Sequence, residues 1–340
     1  MASQVDAVRV EEVVKTVQIV LYGLTIALGS VGNALVVWVI GARLKPTATN
    51  VCLLNLAVAD LVFSISRVLS VSYLSLDHWL FGLALCQFNG LLKYANMFCS
   101  VFLLVVISLD RALCVQRPIQ AKSLRTVGRA RAINVAVWVA AVVLSLPYSI
   151  SRTVVVKEDS GSSGGVNATK CSMEAVRSVG VRTCLYLVRF LFGFLLPFLV
   201  IAGCYVLTAC GLRRTHIRRK VKVIRLLVML VTAFFLCWAP YHFLLLVKMV
   251  RKESRWVKLG LPVAQGLSHF NSCVNPILYF CMGLERRRGF RRSISGALRK
   301  TLEDDGMAPV TEGQQSASII ADVQLKQYQG TIQNANNDKL

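Results

Sequence analysis

Seven stretches of this chain, near residues 17–41, 50–74, 87–109, 131–150, 183–212, 224–249 and 258–282, are apolar over about 20 residues or more, the length a helix rising ~1.5 Å per residue needs to cross ~30 Å of hydrocarbon. The connections between the second, third and fourth stretches are short, which forces neighbouring helices to run antiparallel. The expected fold class is an all-α membrane protein, one seven-helix bundle over residues 17–282. With 55% hydrophobic and only 16% charged residues in a 340-residue chain, apolar surface exceeds what one soluble core uses. Residues 1–16 mix both charge signs and no small-residue cleavage pattern follows, so the first stretch is expected to be a span and not a cleaved signal peptide.

Basic residues set the expected orientation. Arg43 and Lys45 follow the first stretch. Arg117, Lys122, Arg125, Arg129 and Arg131 follow the third, Arg213 to Lys222 the fifth, and Arg286 to Arg292 the seventh. All fall on one side, expected to be cytoplasmic, with residues 1–16 outside in a multi-pass plasma-membrane protein. The net charge of +22 is therefore topological and calls for no nucleic-acid partner. On the outer side, Cys86 at the head of the third stretch and Cys171 in the loop after the fourth face an oxidising compartment and are candidates to pair. Asn167-Ala168-Thr169 in that loop is a glycosylation sequon. Residues 283–302 are expected to form an amphipathic basic helix along the inner leaflet, and 303–340 a polar, disordered tail.

Ionisable groups within spans tend to face a bundle interior. Asp60 is the one acid away from the span ends, and it marks the inward face of the second helix. Arg67, seven residues on, points the same way about 10 Å further out. On the third helix Lys93, Asn96 and Ser100 form one polar stripe; on the fifth, Arg189, Gly193 and Pro197 form another. Long basic side chains near helix ends also snorkel to the interface. Three on coincident inward stripes, with no carboxylate at their depth, point instead to a basic cavity in the outer half. Such a cavity suits an anionic ligand, a carboxylate paired with the planar fork of Arg189, with Lys93 or Arg67 as second charge. Tyr94, Trp238, Tyr241, His242, Gln265 and His269 are candidate walls and hydrogen-bond partners.

Gly32-Asn33, "LNLAVAD" ending at Asp60, Cys86, "SLDRA" with Asp110-Arg111, Trp138, Pro197, "CWAPYH" and "NSCVNPILY" together resemble rhodopsin-like G-protein-coupled receptors over about residues 17–300. Pro240 and Pro276 each interrupt a helix and offer a bend. Arg111 lies about 37 Å below Cys86 by helical rise, where its ion pair with Asp110 can break. The resemblance implies a sodium-binding cluster of Asp60, Asn96, Ser100, Asn271 and Asn275, with no other cofactor. It also implies a packing switch of Phe234 and Trp238, and Arg111, Tyr205 and Tyr279 as residues that rearrange to admit a G protein. Two departures stand out: Ala112 replaces the usual tyrosine after Asp-Arg, and Val68 stands where many relatives have proline.

Within that family the chain looks like the chemoattractant group. "HWLFGLALC", "SRTVV" and "WAPYH" are similar to leukotriene B4 receptors, while "VRFLFGF" and "HFNSCVNP" look more like formyl-peptide and anaphylatoxin receptors. The expectation is a receptor for leukotriene B4 or a related lipid acid, activating an inhibitory G protein. The alternative is a short peptide bound by its terminal carboxylate. Arrestin and receptor kinase are expected partners of the tail, and membrane lipids of the spans. A transporter is a remote alternative, since no internal repeat or paired broken helices occur. A membrane enzyme would need a nucleophile and base or a metal cluster, and the single acid within the spans argues against one, so an enzyme is not expected.

Overall fold

In the computed structural model, residues 2–157, 168–173, 178–214, 218–251 and 254–284 are described. The first rod is α1 (Ala2–Leu24), a π-helical turn (Thr25–Gly29) and α2 (Ser30–Arg43). There follow α3 (Ala48–Leu76), α4 (Gly82–Gln116), the short α5 (Pro118–Leu124) and α6 (Val127–Ile150). The fifth rod is α7 (Val179–Phe190), a second π turn (Leu191–Leu195) and α8 (Leu196–Arg214); α9 (Arg218–Val250) and α10 (Arg255–Leu284) complete the bundle. Helix starts follow local chemistry: the side chains of Thr47, Thr126 and Ser178 accept from the amides of Asn50, Arg129 and Val181.

The helix-only expectation needs one correction. Strands β1 (Thr153–Lys157) and β2 (Ala168–Ser172) form an antiparallel hairpin with Val154 opposite Cys171. The Cys86–Cys171 disulfide, Cα atoms 5.7 Å apart, pins this hairpin to the head of α4. A second tie comes from the α3–α4 turn, where Trp79 N donates to Thr169 O at 2.9 Å and Thr169 N donates to His78 Nδ1 at 2.9 Å. That turn is made possible by left-handed backbone at Asp77 and Gly82.

One boundary also differs from expectation. α1 begins at Ala2, ahead of the apolar stretch that starts near residue 17, and Glu11 and Glu12 stand four and three residues before Lys15, the spacings that set opposite charges on one helix face. Without a proline at Val68, α3 runs unbroken to Leu76. Among the described residues, six helical stretches are long and apolar enough to cross a membrane: Val8–Arg43, Ala48–Leu76, Gly82–Gln116, Val127–Ile150, Val179–Gly211 and Ile224–Val250. The seventh, α10, does not reach that composition because Gln265, Ser268, His269, Asn271, Ser272 and Asn275 dilute it. It packs against α9 and α1, and most of these polar residues are buried in the bundle. The expected inner-leaflet helix, the tail and Asn167 lie outside the described residues.

α4 is the axis of the fold, packed against α3, α6, α8 and α9. Its inward residues Met97, Phe98, Val101, Leu104 and Ile107 form the centre of one continuous apolar core. Exposed apolar side chains such as Val31, Val135, Leu199 and Phe243 cover the outside, as suits helices that face lipid.

The prolines explain two further local features. Pro276 has no N–H to give the carbonyl of Ser272; Asn33 Nδ2 donates to that carbonyl at 2.8 Å instead. Gly32 permits the approach, since a Cβ there would lie 2.8 Å from Pro276 Cγ. In the fifth rod, the π turn at Leu191–Leu195 immediately precedes Pro197, where the regular ladder is interrupted anyway.

Candidate functional site

At the Cys86 end of the bundle, α4, α6, α7 and α9 converge on the side chain of Arg189, which is 2% exposed. Its Nη1 donates to Tyr94 Oη at 3.0 Å and to Tyr241 Oη at 2.9 Å. The guanidinium carbon also lies 5.1–5.7 Å from the ring centroids of Tyr94, Tyr148, Tyr186 and Tyr241. Tyr148 stacks on Tyr94 at 4.3 Å and donates to Leu185 O at 2.7 Å, tying α6 to α7. Ring faces and hydroxyls hold the cation without neutralising it. Arg189 Nε has no partner.

Lys93, 5% exposed, belongs to the same centre: its Nζ lies 3.5 Å from Tyr241 Oη and within 5.5 Å of the Tyr94 and Tyr241 ring centroids. Arg152, two residues beyond α6, is a further cation that the sequence reading did not single out. Its Nη1 lies 3.6 Å from Cys171 Sγ, beside the disulfide that pins the hairpin. Its side chain runs over Gly90, where an added Cβ would meet Arg152 Cδ at 2.4 Å. The hairpin closes over this centre, with Met173 Sδ 3.9 Å from Tyr94 Oη.

Arg67 is buried as expected but is not among the groups bonded to Arg189. Its Nη2 donates to Asn89 Oδ1 at 2.6 Å and Ser66 Oγ at 3.0 Å, and its Nη1 to Ser70 Oγ at 3.3 Å. On α9, Trp238, Tyr241 and His242 are all buried; His242 lies 5.0 Å from Phe194 and 5.9 Å from Trp238 between centroids. Gln265 turns to the first rod, donating to Tyr22 Oη at 2.7 Å.

Midway down the bundle, Asp60 accepts from Ser272 Oγ at 2.8 Å and Asn275 Nδ2 at 2.8 Å. Asn96, with its amide nitrogen turned toward the carboxylate, donates to Asp60 Oδ1 at 3.2 Å. Asp60, Asn96 and Asn275 are thus brought together as expected. Ser272 is an addition, and Ser100 and Asn271 are not among the bonded partners of Asp60. The Ser100 hydroxyl and Asn271 Oδ1 are instead buried with no partner. A carboxylate on α3, with buried unpartnered oxygens on α4 and α10, the helices that supply its bonded partners, is a donor set that fits a small hard cation.

At the far end, Arg111 Nε lies 3.6 Å from Asp110 Oδ2. Arg125, from the α5–α6 link, binds Asp110 Oδ1 at 2.8 Å, and both arginines reach the hydroxyl of Thr49. Ala112 is buried. Phe234 and Trp238 rings pack at 5.9 Å, and Tyr279 is buried while Tyr205 is half-buried.

The profile of the 7 transmembrane receptor (rhodopsin family) matches residues 32–279. The chain is 36% identical to a C3a anaphylatoxin chemotactic receptor of Danio rerio, covering 90% of this chain and 84% of that one. It is 35% identical to Chemerin-like receptor 1 of Homo sapiens, covering 84% and 80%, and 33% identical to Formyl peptide receptor 2 of Mus musculus, covering 93% and 94%. These names favour the peptide alternative over the leukotriene expectation.

Proposed function

This chain belongs to the rhodopsin family of seven-transmembrane receptors, and from that premise we propose that it binds a short chemoattractant peptide through the peptide's C-terminal carboxylate. The observation that carries the proposal is Arg189: a buried guanidinium, held by two tyrosine hydroxyls, whose Nε is unpartnered and which no carboxylate among the described residues neutralises. A carboxylate is the group that a planar guanidinium edge binds in paired fashion. Lys93 and Arg152 add positive charge around it.

The signal then runs down α9. Tyr241, which touches both Arg189 and Lys93, packs on Trp238 at 6.0 Å, and Trp238 packs on Phe234. A ligand that draws Arg189 and Lys93 alters the support of Tyr241. It favours the state in which α9 swings about Pro240, and α10 adjusts at Pro276. Only the difference in ligand affinity between the two states can drive this shift. At the Arg111 end the shift releases Arg111 from Asp110 and opens a surface for a heterotrimeric G protein, of the inhibitory class. The Cys86 end is extracellular in this proposal and the Arg111 end cytoplasmic, a reading supported by the basic residues in the links at the Arg111 end. A sodium ion held by Asp60 with Ser100 and Asn271 would stabilise the resting arrangement.

The test is G-protein activation in cells by C-terminal free-acid peptides, beginning with fMet-Leu-Phe, against their C-terminal amides and against leukotriene B4. Activation by acids but not by amides is the expected result. Equal potency of acid and amide refutes the carboxylate assignment, and activation by the lipid alone returns the ligand to the leukotriene class.

A further inference from the structure

The cations at the Cys86 end outnumber the charge that one terminal carboxylate brings. Arg67, Lys93 and Arg189 are buried, and Arg152 lies over Gly90 of the same helix as Lys93, with Nη1 3.6 Å from Cys171 Sγ. Ion pairs among the described residues join Lys15 to Asp77 and both Arg111 and Arg125 to Asp110, so none neutralises these four. Asp60 is committed to Ser272, Asn275 and Asn96. Buried charges are ordinarily paired, because desolvation is costly.

The cations fall into two groups. Arg189 and Lys93 share Tyr241. Arg67 sits apart, with its guanidinium 4.3 Å over the Phe63 ring. His269 meets the same ring edge-on at 5.1 Å and stacks on Tyr22 at 4.8 Å. It is 0% exposed, and neither ring nitrogen has a partner; Arg67 Nε has none either. An imidazole always carries at least one N–H donor, and leaving such a group unbonded in a buried site is unfavourable. The bond to Asn89 accounts for Arg67 Nη2 as a tie between α3 and α4. It accounts for neither Arg67 Nε nor the His269 nitrogens.

We infer that Arg67 and His269 form a second anion subsite, apart from Arg189, that takes an acidic side chain of the same ligand. The ligand is then a peptide with at least two negative charges, one terminal and one on Asp or Glu. This inference rests on the carboxylate reading of Arg189 and deepens it.

The test uses the full-length receptor purified in detergent, its unfolding temperature titrated with acetyl-Glu-Phe-Phe and acetyl-Phe-Glu-Phe, their Gln isosteres, and the C-terminal amide of each. In the wild type the Glu peptides should bind about tenfold or more tightly than the Gln peptides, the scale of one charge-assisted hydrogen bond. That ratio should fall to about one in Arg67→Gln, persist in Arg189→Gln, and be partly kept by Arg67→Lys. If Arg67→Gln does not fold, His269→Ala reads the same ratio and should reduce it. A wild-type ratio near one, or a ratio untouched by these substitutions, overturns the subsite. A purely structural Arg67 would lower the unfolding temperature and leave the ratio intact. The effect of terminal amidation reports on Arg189 alone, so the two readings fail separately.

Discussion

Replacing Arg189 by alanine removes the group on which the proposed ligand contact depends, and the size of the loss can be worked from its surroundings. The guanidinium has five N–H donors; Nη1 is spent on Tyr94 and Tyr241, and Nε is free. A carboxylate bound along the free edge makes two charge-assisted bonds, each worth ~1.5–3 kcal/mol in a buried site. Discounting for non-additivity, Arg189→Ala should cost ~3–4 kcal/mol, a loss of about 100- to 1,000-fold in potency. Arg189→Lys keeps the charge but not the fork and should lose about tenfold. Tyr241→Phe removes one hydroxyl that supports the guanidinium and should lose about three- to tenfold. The assay is dose-dependent G-protein activation by a free-acid peptide agonist, with surface display measured in parallel through an N-terminal epitope. If Arg189→Ala is displayed normally and its potency stays within about twofold of wild type, less than ~0.5 kcal/mol, the carboxylate is bound elsewhere and the reasoning fails.

Four other outcomes follow from the same structure. Arg125→Gln removes the shorter of the two ion pairs on Asp110 and should raise ligand-independent signalling about two- to fivefold, the scale of a partly exposed pair; unchanged basal activity would leave Arg125 a bystander. Asp60→Asn should abolish the sodium sensitivity of agonist affinity, measured by competition binding in sodium and in potassium buffers, and retained sensitivity removes the ion from this cluster. Gly32→Ala sets a methyl against the rigid ring of Pro276 and should destabilise the purified receptor by ~1–3 kcal/mol; an unaltered melting temperature would mean the first rod can shift freely. Cys171→Ala releases the hairpin from α4 and should lower surface display several-fold, so normal display with normal ligand potency would count against a role for the disulfide in shaping the site.

Much of the candidate site is legible in one dimension because a helix repeats every ~3.6 residues. A charge that cannot face lipid marks the inward stripe, and Asp60, Arg67, Lys93, Asn96 and Arg189 all prove to be buried. Periodicity stops at the helix end, which is why Arg152 escaped notice. It lies beyond α6 and belongs to no stripe, although its nearness to the strand paired with Cys171 was a usable signal. Ser272 was overlooked for a different reason. It stands beside Asn271 in an inward-facing segment, and spacing alone does not tell which neighbour meets Asp60. Its three-residue offset from Asn275 places the two on one face.

The amino-acid sequence by itself determined that seven helices form one membrane bundle, which faces of those helices turn inward, and that positive charge gathers at one depth. Each follows from properties of a single segment: its length, its apolar run and the cost of exposing a charge to hydrocarbon. Tertiary structure decided how the inward faces meet. It divided three cations expected in one cavity into an Arg189–Lys93 centre and a separate Arg67 that shares the Phe63 ring with His269, added Arg152 from a link, and gave Asp110 a second arginine. Such pairings depend on helix rotation, on close approaches at glycines such as Gly32 and Gly90, and on a hairpin tied across the bundle by one disulfide. No local segment encodes these, because each is a contact between residues far apart in the chain.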